Sequence, residues 1–519
     1  MTDRLACPHR RAGTGCPGCP LLEVPYPEQL ERKAARLRRA LDRYPHLELP
    51  APEPIVPAVR TRDYRHRAKL PVDLRRAPRI GLYGPDHRVL HTPDCPVLAP
   101  ALREAIPPLL AWLDGRSGIH SVDLRTSAAT GELYLVLACA GGELPGGSRA
   151  ARQLRRDLPA LAGVAVSRAD PQGKRVMGSA PVPVAGAAWL EEAIGPTRYR
   201  LHPGAFFQVD PLQAERIHAL VREGVGGARS VLDLYAGVGA YGLMLAPGRD
   251  RVLMVEEVPQ AADGARAMAP RHVEVVAGRV EDQPLAQGAF DAAVINPARR
   301  GSLPAPLARL AGLVDRAVYV SCGPETLARD LDVLAAHGLR AERIVPVDLF
   351  PQTAEVETVV TLVRGPPLAR WRGPGGWAET PWRTERGLSH SGAPGRPSAA
   401  LALVLGETRQ RGTVDGARYE RIGTVAGHSL VRLQLTTTLG RALAGLRARG
   451  HALAGAEPRT RAFFAEKGGL VRPFVHVERD RDGNEAPLHG DLAEAMAQLG
   501  GGGPRPSPAR RARRGRRER

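Results

Sequence analysis

Short apolar runs alternate with segments of helical spacing between Ser230 and Arg364. Alternation of this kind predicts a parallel sheet with helices on both faces, the architecture of an α/β domain. The last two runs are separated only by a stretch around residues 348–353, which is too short for a crossover helix. The final strand is therefore predicted to return antiparallel to its neighbour. The predicted strands are SVLDLY, RVLMVEE, HVEVVAG, FDAAVIN, RAVYVSC, LRAERIVPV and VETVVTLV.

The remainder of the chain follows other patterns. Residues 119–140 are typical of a hairpin around a Gly-containing turn, within a mixed domain that runs to about residue 200. Residues 365–400 hold seven Gly and six Pro, a composition typical of a linker. We therefore predict a mixed N-terminal domain at 1–200, an α/β domain at 201–364, a linker at 365–400, a second compact segment at 401–499 and a disordered Arg-rich tail at 500–519.

Charge points to a class of partner. The 519 residues include 73 Lys and Arg against 54 Asp and Glu, a formal net charge of +19. Such an excess favours a polyanionic partner, nucleic acid above all. Eight Arg lie in the last fifteen residues, so the folded body is only moderately basic. No apolar run approaches the ~20 residues of a membrane span. The start, MTDRLACPHRR, lacks the apolar core of a signal peptide, so a cytoplasmic location is expected.

A glycine-rich turn follows the first predicted strand of the α/β domain. In LDLYAGVGAYG, two glycines, Gly237 and Gly239, let the backbone approach a ligand closely near a helix N-terminus. Glu256 ends the next strand, where a carboxylate can accept both ribose hydroxyls of a nucleoside. The turn alone would also suit a structural role. Together with Glu256 and the run Asn-Pro-Ala-Arg at 296–299, it resembles a class I S-adenosylmethionine methyltransferase.

Cys322 and Glu357 are predicted to meet beside that turn. Cys322 ends the strand RAVYVSC at the carboxyl edge of the sheet, and Glu357 opens the antiparallel last strand at the same edge. Alone, the cysteine is typical of a small buried hydrophobe and the glutamate of a solvated charge. Beside a methyl donor, both residues could serve in the methylation of uracil at C5, because C5 of uracil is a poor nucleophile. A thiolate that adds at C6 activates C5, and a positioned base must then remove the C5 proton. We predict that Cys322 is this nucleophile and Glu357 this base.

Four further cysteines can hold a metal centre. Cys7, Cys16 and Cys19 follow the spacing C-x8-C-x2-C, and Cys95 stands in HTPDCPVL after the basic stretch YRHRAKL. In a reducing compartment, clustered cysteines indicate metal binding or catalysis rather than disulfides. Four thiolates suit either zinc or a [4Fe-4S] cluster, and their spacing does not separate the two. Cys139, in the middle of a predicted strand, is predicted to belong to the core.

These motifs stand in an order that resembles the RNA uracil-C5-methyltransferase family, up to about residue 365. The pattern is most similar to the branch that methylates 23S ribosomal RNA and lacks an N-terminal TRAM domain. The motifs that carry the resemblance are CPGCPLLEVPYPEQLERK, YRHRAKL, HTPDCPVLAP, FFQVDPLQAE, LDLYAGVGAYGL, NPARRG, SCGPETLARDL and LFPQTAEVET.

The resemblance implies a fold, partners and residue roles. The fold would be an α/β class I S-adenosylmethionine methyltransferase domain with an antiparallel last strand, beside an N-terminal α+β iron-sulfur domain that also binds RNA. The substrate would be RNA, with ribosomal RNA favoured over transfer RNA, and the protein is expected to be a monomer. S-adenosylmethionine would lie against Gln208, Tyr235, Glu256 and Asn296, beside Gly237 of the turn, and a [4Fe-4S] cluster would be held by Cys7, Cys16, Cys19 and Cys95.

Several positions depart from the family pattern. Arg279 stands where the family often has an acidic or amide residue near the adenine, and Ala240 where some members have a polar cofactor contact. Asp210, Ala236 and Gly323 replace the usual Asn, Cys and Asn. The reacting pair is kept, so an enzyme is the leading interpretation. The alternative is a catalytically weakened RNA-binding or ribosome-assembly factor that retains the methyltransferase fold. A cytosine-C5 RNA methylase also uses a thiolate, but the N-terminal cysteines argue against it.

Residues 401–499 resemble the C-terminal half of an RluA-type pseudouridine synthase, through stretches such as YERIGTVAGHSLVRLQL and APLHGDLAEAMAQLG. That family's catalytic aspartate lies in an upstream Arg-Leu-Asp motif, which this chain lacks after the linker. Its Arg-Thr-His-Gln-Ile-Arg stretch also falls where this chain reads TLGRAL. A second active synthase is therefore not expected. The sequence leaves two interpretations open, an RNA-docking segment and a purely structural remnant.

Overall fold

The structure is a computed structural model that describes most of the chain up to Gly365 and parts of the remainder. The predicted tail at 500–519 and much of the segment after His451 lie outside the described residues. Where residues are described, no helix is both long and apolar enough to cross a membrane. The described residues are 5–10, 15–44, 47, 49–170, 177–285, 289–365, 369–373, 376–380, 383–385, 388–392, 397–405, 407–415, 417–425, 428–436, 439–449, 451 and 475–480.

The N-terminal part of the chain forms a mixed α+β layer. Its elements in chain order are α1 (Tyr26–Leu41), β1 (Arg67–Asp73), β2 (Arg79–Tyr83), β3 (Val89–His91), α2 (Pro100–Leu113), β4 (Ile119–Thr126), β5 (Leu133–Cys139), α3 (Gly147–Asp157), β6 (Leu161–Arg168), β7 (Val182–Gly186), β8 (Leu190–Ile194) and β9 (Thr197–Leu201). The first seven strands form one sheet in the order β3-β2-β1-β4-β5-β6-β7. The hairpin predicted at 119–140 is β4 and β5, and Cys139 is buried in the core beneath them.

A second sheet follows after the hairpin of β8 and β9. Its elements and the helices between them are α4 (Pro211–Val225), β10 (Ser230–Leu234), α5 (Gly242–Leu245), β11 (Arg251–Glu256), α6 (Pro259–Met268), β12 (Val273–Ala277), β13 (Ala292–Ile295), α7 (Pro304–Leu313), β14 (Arg316–Ser321), α8 (Pro324–Ala336), β15 (Leu339–Val347) and β16 (Glu357–Arg364). The strand order is β12-β11-β10-β13-β14-β16-β15. Strands β10 to β14 pair in parallel, whereas β16 runs antiparallel to both neighbours. The antiparallel last strand was predicted from the short connection before it.

The helix predicted after the glycine-rich turn is much shorter than the pattern indicates. Helix α5 spans only Gly242–Leu245. Pro247 and Gly248 follow within three residues, and proline cannot continue the helical hydrogen bonds. The chain therefore turns directly into β11.

Two apolar layers enclose the second sheet, because its strands are buried on both faces. Val231 and Val318 face a layer that includes α4. Leu232 and Tyr319 face the opposite layer, which is built with α7, α8 and Leu37 of α1. Helix α1 therefore packs on the second sheet, although in sequence it precedes the first.

Short strands continue beyond Arg364. The elements are β17 (Ala369–Gly373), β18 (Gly376–Thr380), β19 (Arg383–Glu385), β20 (Leu388–Gly392), β21 (Pro397–Val404), β22 (Arg411–Val414), β23 (Ala417–Val425), β24 (His428–Leu435), α9 (Leu439–Ala448) and β25 (Val475–Asp480). Strands β17 to β20 lie in the range where composition predicts a linker, so backbone pairing forms there despite the Gly and Pro content. Strands β21 to β24 pack apolar side chains against α9, with Val431 and Leu446 fully buried.

Candidate active site

Strand register brings Cys322 and Glu357 together at the carboxyl edge of the second sheet. Ser321 of β14 pairs with Thr358 of β16, so Cys322 and Glu357 are the next opposed positions. On its other side, Glu357 pairs with Val347 of β15. Glu357 is only 4% exposed, and Cys322 is half-buried. The structure thus places the two predicted reacting groups side by side.

The environment of Glu357 prepares its carboxyl group to exchange protons near neutrality. Burial raises the pKa of Glu357 to about 7, the Arg299 guanidinium opposes this rise and the Glu355 carboxylate adds to it. A base is most effective when its pKa lies near the working pH, because it then accepts a proton and releases it again. Glu357 therefore suits the removal of a proton from a bound substrate.

Cys322 is a thiol that resists ionisation in this structure. Burial and then the neighbouring Glu357 carboxylate raise its pKa to about 11, although the Arg299 guanidinium acts to lower it. The thiolate, not the thiol, is the nucleophile. Any positive charge beside Cys322 therefore bears directly on its reactivity.

Arg299 is the cation that acts on both reacting groups. Its side chain is 71% exposed and lies 3.5 Å from the Glu355 carboxylate. The sequence placed Arg299 in the run Asn-Pro-Ala-Arg but gave it no role of its own. The signal that could have found it is an arginine shortly after a strand end, the first of the adjacent pair Arg299 and Arg300, at the edge where open α/β sheets bind ligands.

The Glu256 carboxylate holds the glycine-rich turn. One oxygen accepts a hydrogen bond from the Gly237 N–H at 2.8 Å, and the other accepts one from the Val258 N–H at 2.8 Å. Gly237 has a φ of +58°, a conformation that favours glycine. A carboxylate has about four acceptor positions, so Glu256 keeps capacity for the ribose hydroxyls that the sequence assigns to it.

Asp233 supports the same turn, and sequence reasoning missed it. It is fully buried in β10, where one carboxylate oxygen accepts a hydrogen bond from the Gly242 N–H at 2.7 Å. The other oxygen has no partner in the described structure. Burial raises the pKa of Asp233 to about 7, the Gly242 bond opposes that rise and Glu256 adds to it. An acidic residue inside the apolar run SVLDLY was the available signal.

The other predicted methyl-donor contacts come from three segments. Gln208 precedes α4 and hydrogen-bonds the buried Tyr241 hydroxyl. Tyr235 follows β10 with a φ of +60°, and its hydroxyl lies 2.9 Å from the Ser302 hydroxyl. Asn296 follows β13 and is half-buried. Tyr235 and Asn296 therefore lie at the carboxyl edge that also carries the reacting pair.

Two departures from the family pattern have visible consequences. Asp210 caps α4, because its carboxylate accepts hydrogen bonds from the Leu212 and Gln213 N–H groups at 3.1 and 3.4 Å. Asparagine, the usual residue there, can serve the same capping role. Arg279 is exposed after β12 and lies 3.6 Å from the Glu281 carboxylate. A guanidinium therefore stands where the resemblance expects an adenine contact.

The four N-terminal cysteines share one neighbourhood. Cys7, Cys19 and Cys95 pack against the small apolar cluster that includes Leu5 and Leu22. Burial, together with the charges of Cys95, Cys16 and Cys7, raises the pKa of Cys19 to about 12. Thiols that influence one another in this way lie near one another in space.

The four cysteine thiols are suitable ligands for a metal centre, but the structure does not arrange them around a common metal position. The Gly18 N–H lies 3.4 Å from the Cys16 sulfur, and amide hydrogen bonds to sulfur tune iron-sulfur centres. Within the described ranges, however, no three His, Cys, Asp or Glu side chains form a group that could hold a metal ion. The chain thus supplies suitable ligands without a formed coordination geometry.

Comparisons with known proteins identify the chain's relatives. A family profile described as tRNA (Uracil-5-)-methyltransferase matches residues 270–365. An uncharacterised RNA methyltransferase of Gloeobacter violaceus is 34% identical over 386 residues, which cover 69% of this chain and 84% of the relative. Another uncharacterised RNA methyltransferase, from Geobacter sulfurreducens, is 31% identical over 389 residues, which cover 70% of this chain and 78% of the relative. The chain belongs to the RNA uracil-5-methyltransferase family. The matched residues 270–365 include Asn296, Cys322 and Glu357.

A solved structure supports the fold of this RNA uracil-5-methyltransferase family member. The Pyrococcus abyssi tRNA (uracil-54, C5)-methyltransferase, crystallised with S-adenosyl-L-homocysteine, matches with a TM-score of 0.55 and 26% sequence identity. The match covers 67% of this chain and 86% of the archaeal chain. The family member therefore has the class I S-adenosylmethionine methyltransferase fold that the sequence predicts.

Proposed function

We propose that this protein transfers a methyl group from S-adenosylmethionine to C5 of a uridine in structured RNA, through a covalent adduct between Cys322 and C6. The observation that carries the proposal is the opposition of Cys322 and buried Glu357 at the carboxyl edge of the sheet. Methyl transfer to an amine or a hydroxyl group needs no covalent nucleophile. A thiol paired with a base suits a reaction that activates carbon and then removes a proton from it.

The first half of the reaction belongs to Cys322. Its thiol loses a proton to solvent, and Arg299 favours the resulting thiolate. The thiolate sulfur bonds to C6, and the electron pair of the C5–C6 double bond moves towards O4 as an enolate. C5 then attacks the methyl group of the sulfonium. The carbon–sulfur bond of the donor breaks, and its electron pair stays on the departing thioether.

The second half belongs to Glu357. After methyl transfer, C5 bears both a methyl group and the original proton. Glu357 accepts that proton, the C5–C6 double bond forms again, and the bond between C6 and the Cys322 sulfur breaks. A carboxyl pKa of about 7 lets the same group release the proton to solvent before the next turnover.

The proposed donor site consists of the glycine-rich turn and its neighbours. S-adenosylmethionine supplies an electrophilic methyl group on a sulfonium. Glu256 would accept the ribose hydroxyls, while Gln208, Tyr235 and Asn296 would contact the rest of the donor. Support for these roles comes from their positions around the carboxyl edge, and from the S-adenosyl-L-homocysteine found in the archaeal relative's crystal.

A [4Fe-4S] cluster on Cys7, Cys16, Cys19 and Cys95 is part of the proposal. Its support is the shared neighbourhood of the four thiols and the preference of iron-sulfur clusters for four thiolate ligands. These residues take no part in the methylation steps above. Their proposed role is structural: Cys7, Cys16 and Cys19 lie in the segment that precedes α1, and Cys95 lies between β3 and α2.

Ribosomal RNA is the proposed substrate, and transfer RNA, on which the Pyrococcus abyssi methyltransferase acts, is the alternative. Helix α3 supplies one candidate phosphate contact. Arg149, Arg152 and Arg156 lie at i, i+3 and i+7 and are exposed, so they share a helix face. In the described part of the chain, their hydrogen bonds go to Ser148 and Gln153 rather than to carboxylates. For the segment at 401–499, we propose a role without synthase activity, either RNA docking or a purely structural one.

A second candidate function rests on Arg279. A cation in the adenine position would weaken donor binding and leave an RNA-binding factor with little turnover. Titration calorimetry with S-adenosyl-L-homocysteine separates the two functions, since the enzyme binds it and the weakened factor does not. The activity itself is tested by mapping 5-methyluridine in ribosomal and transfer RNA from cells with and without the gene. A uridine that loses its methyl group in the deletion strain supports the proposal.

A further inference from the structure

The loop between β15 and β16, residues 348–356, leads directly into Glu357, and we name it the base loop. Asp348 follows Val347, the residue that pairs with Glu357 across the two strands. The base loop connects Val347 to Glu357, which pair with each other across the two strands. The conformation of the base loop therefore bears on the position of the Glu357 carboxylate. The groups that hold the base loop therefore act on the base itself.

Helix α1 presents a row of polar side chains to the base loop. Tyr26, Gln29, Lys33 and Arg36 stand at i, i+3, i+7 and i+10, which places them on one face of the helix. We call this row the polar stripe of α1. Every member bonds to a residue of the base loop. The apolar residues Leu37 and Leu41 continue the helix into the core of the second sheet.

Lys33 and Asp348 form the centre of this contact. The Lys33 ammonium donates to the Asp348 carboxylate at 2.5 Å and to the Phe350 carbonyl at 3.0 Å. The Tyr26 hydroxyl donates to the second Asp348 oxygen at 2.8 Å. The side chains of Lys33 and Asp348 are both 0% exposed. A buried ion pair with hydrogen bonds to Tyr26 and Phe350 as well holds its partners in one arrangement.

Gln29 holds the most strained residue of the base loop. Gln352 has a φ of +70°, a backbone conformation that residues other than glycine rarely adopt. The Gln29 amide donates to the Gln352 side-chain oxygen at 2.8 Å and accepts from the Gln352 N–H at 2.9 Å. Strained backbone of this kind persists only where surrounding contacts impose it. Here those contacts come from α1.

Arg36 reaches the end of the base loop that faces the reacting pair. Its guanidinium donates to the Ala354 carbonyl at 3.1 Å and lies 3.6 Å from the Glu355 carboxylate. Arg299 lies 3.5 Å from the same carboxylate. Glu355 is therefore held between two arginines, one from α1 and one from the active site.

We propose that the polar stripe of α1 positions the catalytic base, so that Lys33, through Asp348, sets the geometry in which Glu357 removes the C5 proton. The inference rests on the proposed function, because it assumes the covalent adduct and the role of Glu357. Lys33 is a positioning residue, since its side chain is fully buried and bonds to the base loop. A fold-stabilising role alone is a weak explanation, because burying two charges is costly and apolar residues would stabilise the contact as well.

The test uses the full-length protein and the double variant Lys33→Met with Asp348→Asn. The double substitution removes both buried charges, so neither is left without its partner. We expect S-adenosyl-L-homocysteine affinity and the KM for RNA to stay within about twofold, while kcat falls by about 10- to 100-fold, because small misplacements of a reacting group cost rate of this order. The covalent protein–RNA adduct should accumulate, since proton removal is the step that slows. Denaturing gels measure the adduct.

Two single variants complete the design. Arg32→Gln is the matched control, because Arg32 is exposed on α1 and, among the residues that the structure describes, its side chain bonds only to Glu28. Its kcat should equal that of the wild type. Arg36→Gln removes the outermost contact with the base loop, so it should slow turnover several-fold and increase the amount of covalent adduct. This single variant tests the inference if the double variant does not fold.

The outcomes separate this inference from the proposed function. A folded double variant with normal kcat overturns the inference, as does a slower variant that accumulates no adduct. Normal turnover of Arg36→Gln overturns it where the double variant does not fold. A wild-type protein that methylates no uridine overturns the proposed function instead.

Discussion

Cys322 and Glu357 oppose one another across β14 and β16, and the Glu357 carboxylate adds to burial in raising the pKa of the Cys322 thiol to about 11. The two groups therefore titrate as a coupled pair. The thiolate forms more readily when Glu357 is neutral, whereas proton removal requires Glu357 to be charged. A reaction that uses first one group and then the other fits this opposition.

Replacing Glu357 by glutamine should stall the reaction after methyl transfer. The C5 proton then has no acceptor, so we expect kcat to fall by roughly 10²- to 10⁴-fold and the covalent RNA adduct to persist on denaturing gels. Glu215→Gln, at an exposed position of α4, is the control and should behave as wild type. Normal turnover without trapped adduct would show that another group is the base.

Removing the Arg299 charge should shift the pH dependence of the reaction upwards. Arg299 lowers the pKa of both Cys322 and Glu357, so Arg299→Gln raises both. Thiolate and carboxylate then form at higher pH, and the rising limb of kcat/KM between pH 6 and 10 should move in that direction. Arg300→Gln, the adjacent exposed arginine, should leave the position of the limb unchanged. If the rising limb of Arg299→Gln stays at the wild-type pH, Arg299 does not control the ionisation of Cys322 and Glu357.

Anaerobically purified protein should carry iron and sulfide in near equal amounts, about four of each per chain. Cys19→Ser should lower both contents, while Cys139→Ser should not, because Cys139 lies in the core of the N-terminal sheet. Elemental analysis and acid-labile sulfide measure the result. Zinc without iron would keep the four ligands and reject the cluster.

The arginines of α3 should contribute to RNA affinity through counterion release. Replacing Arg149, Arg152 and Arg156 together by glutamine should weaken binding at low salt. It should also lower the salt slope by roughly 0.7 to 0.9 for each lost phosphate contact. The methylated uridine should stay the same, because phosphate contacts carry no sequence information.

Ion-paired surface arginines provide the control for this prediction. Glutamine at three such positions should change the salt slope much less. An equal change in both variants would assign the effect to net charge rather than to α3. Suitable controls are Arg198, Arg229 and Arg251, which contact Glu191, Asp250 and Glu274. The same measurement applies to truncation after Gly503, whose tail lies outside the described residues.

The second sheet could be predicted from sequence because its strands are buried on both faces. Such strands are near-continuous apolar runs, and the short connection before Glu357 left only an antiparallel return for β16. The register of β14 and β16 then placed Cys322 beside Glu357. These features depend on short stretches of sequence, which a single chain displays directly.

Contacts between distant segments were not predictable in the same way. Lys33 and Asp348 are 315 positions apart, and nothing in the local pattern of either indicates that they pair. The position of Arg299 depends on the conformation of a loop. The length of α5 depends on Pro247 and Gly248, which follow it. The roles of Arg279 and of the cysteines depend on ligands that the sequence pattern alone does not place.

The most direct test of the central claim is the methylation pattern of RNA from a deletion strain that expresses either the wild-type protein or Cys322→Ala. Both proteins should accumulate to the same level and bind S-adenosyl-L-homocysteine alike, because the substitution removes only a thiol. We predict that the wild-type protein restores 5-methyluridine at one site in ribosomal RNA and that Cys322→Ala restores none. Full restoration by Cys322→Ala, or a methylation pattern that deletion of the gene leaves unchanged, would contradict it.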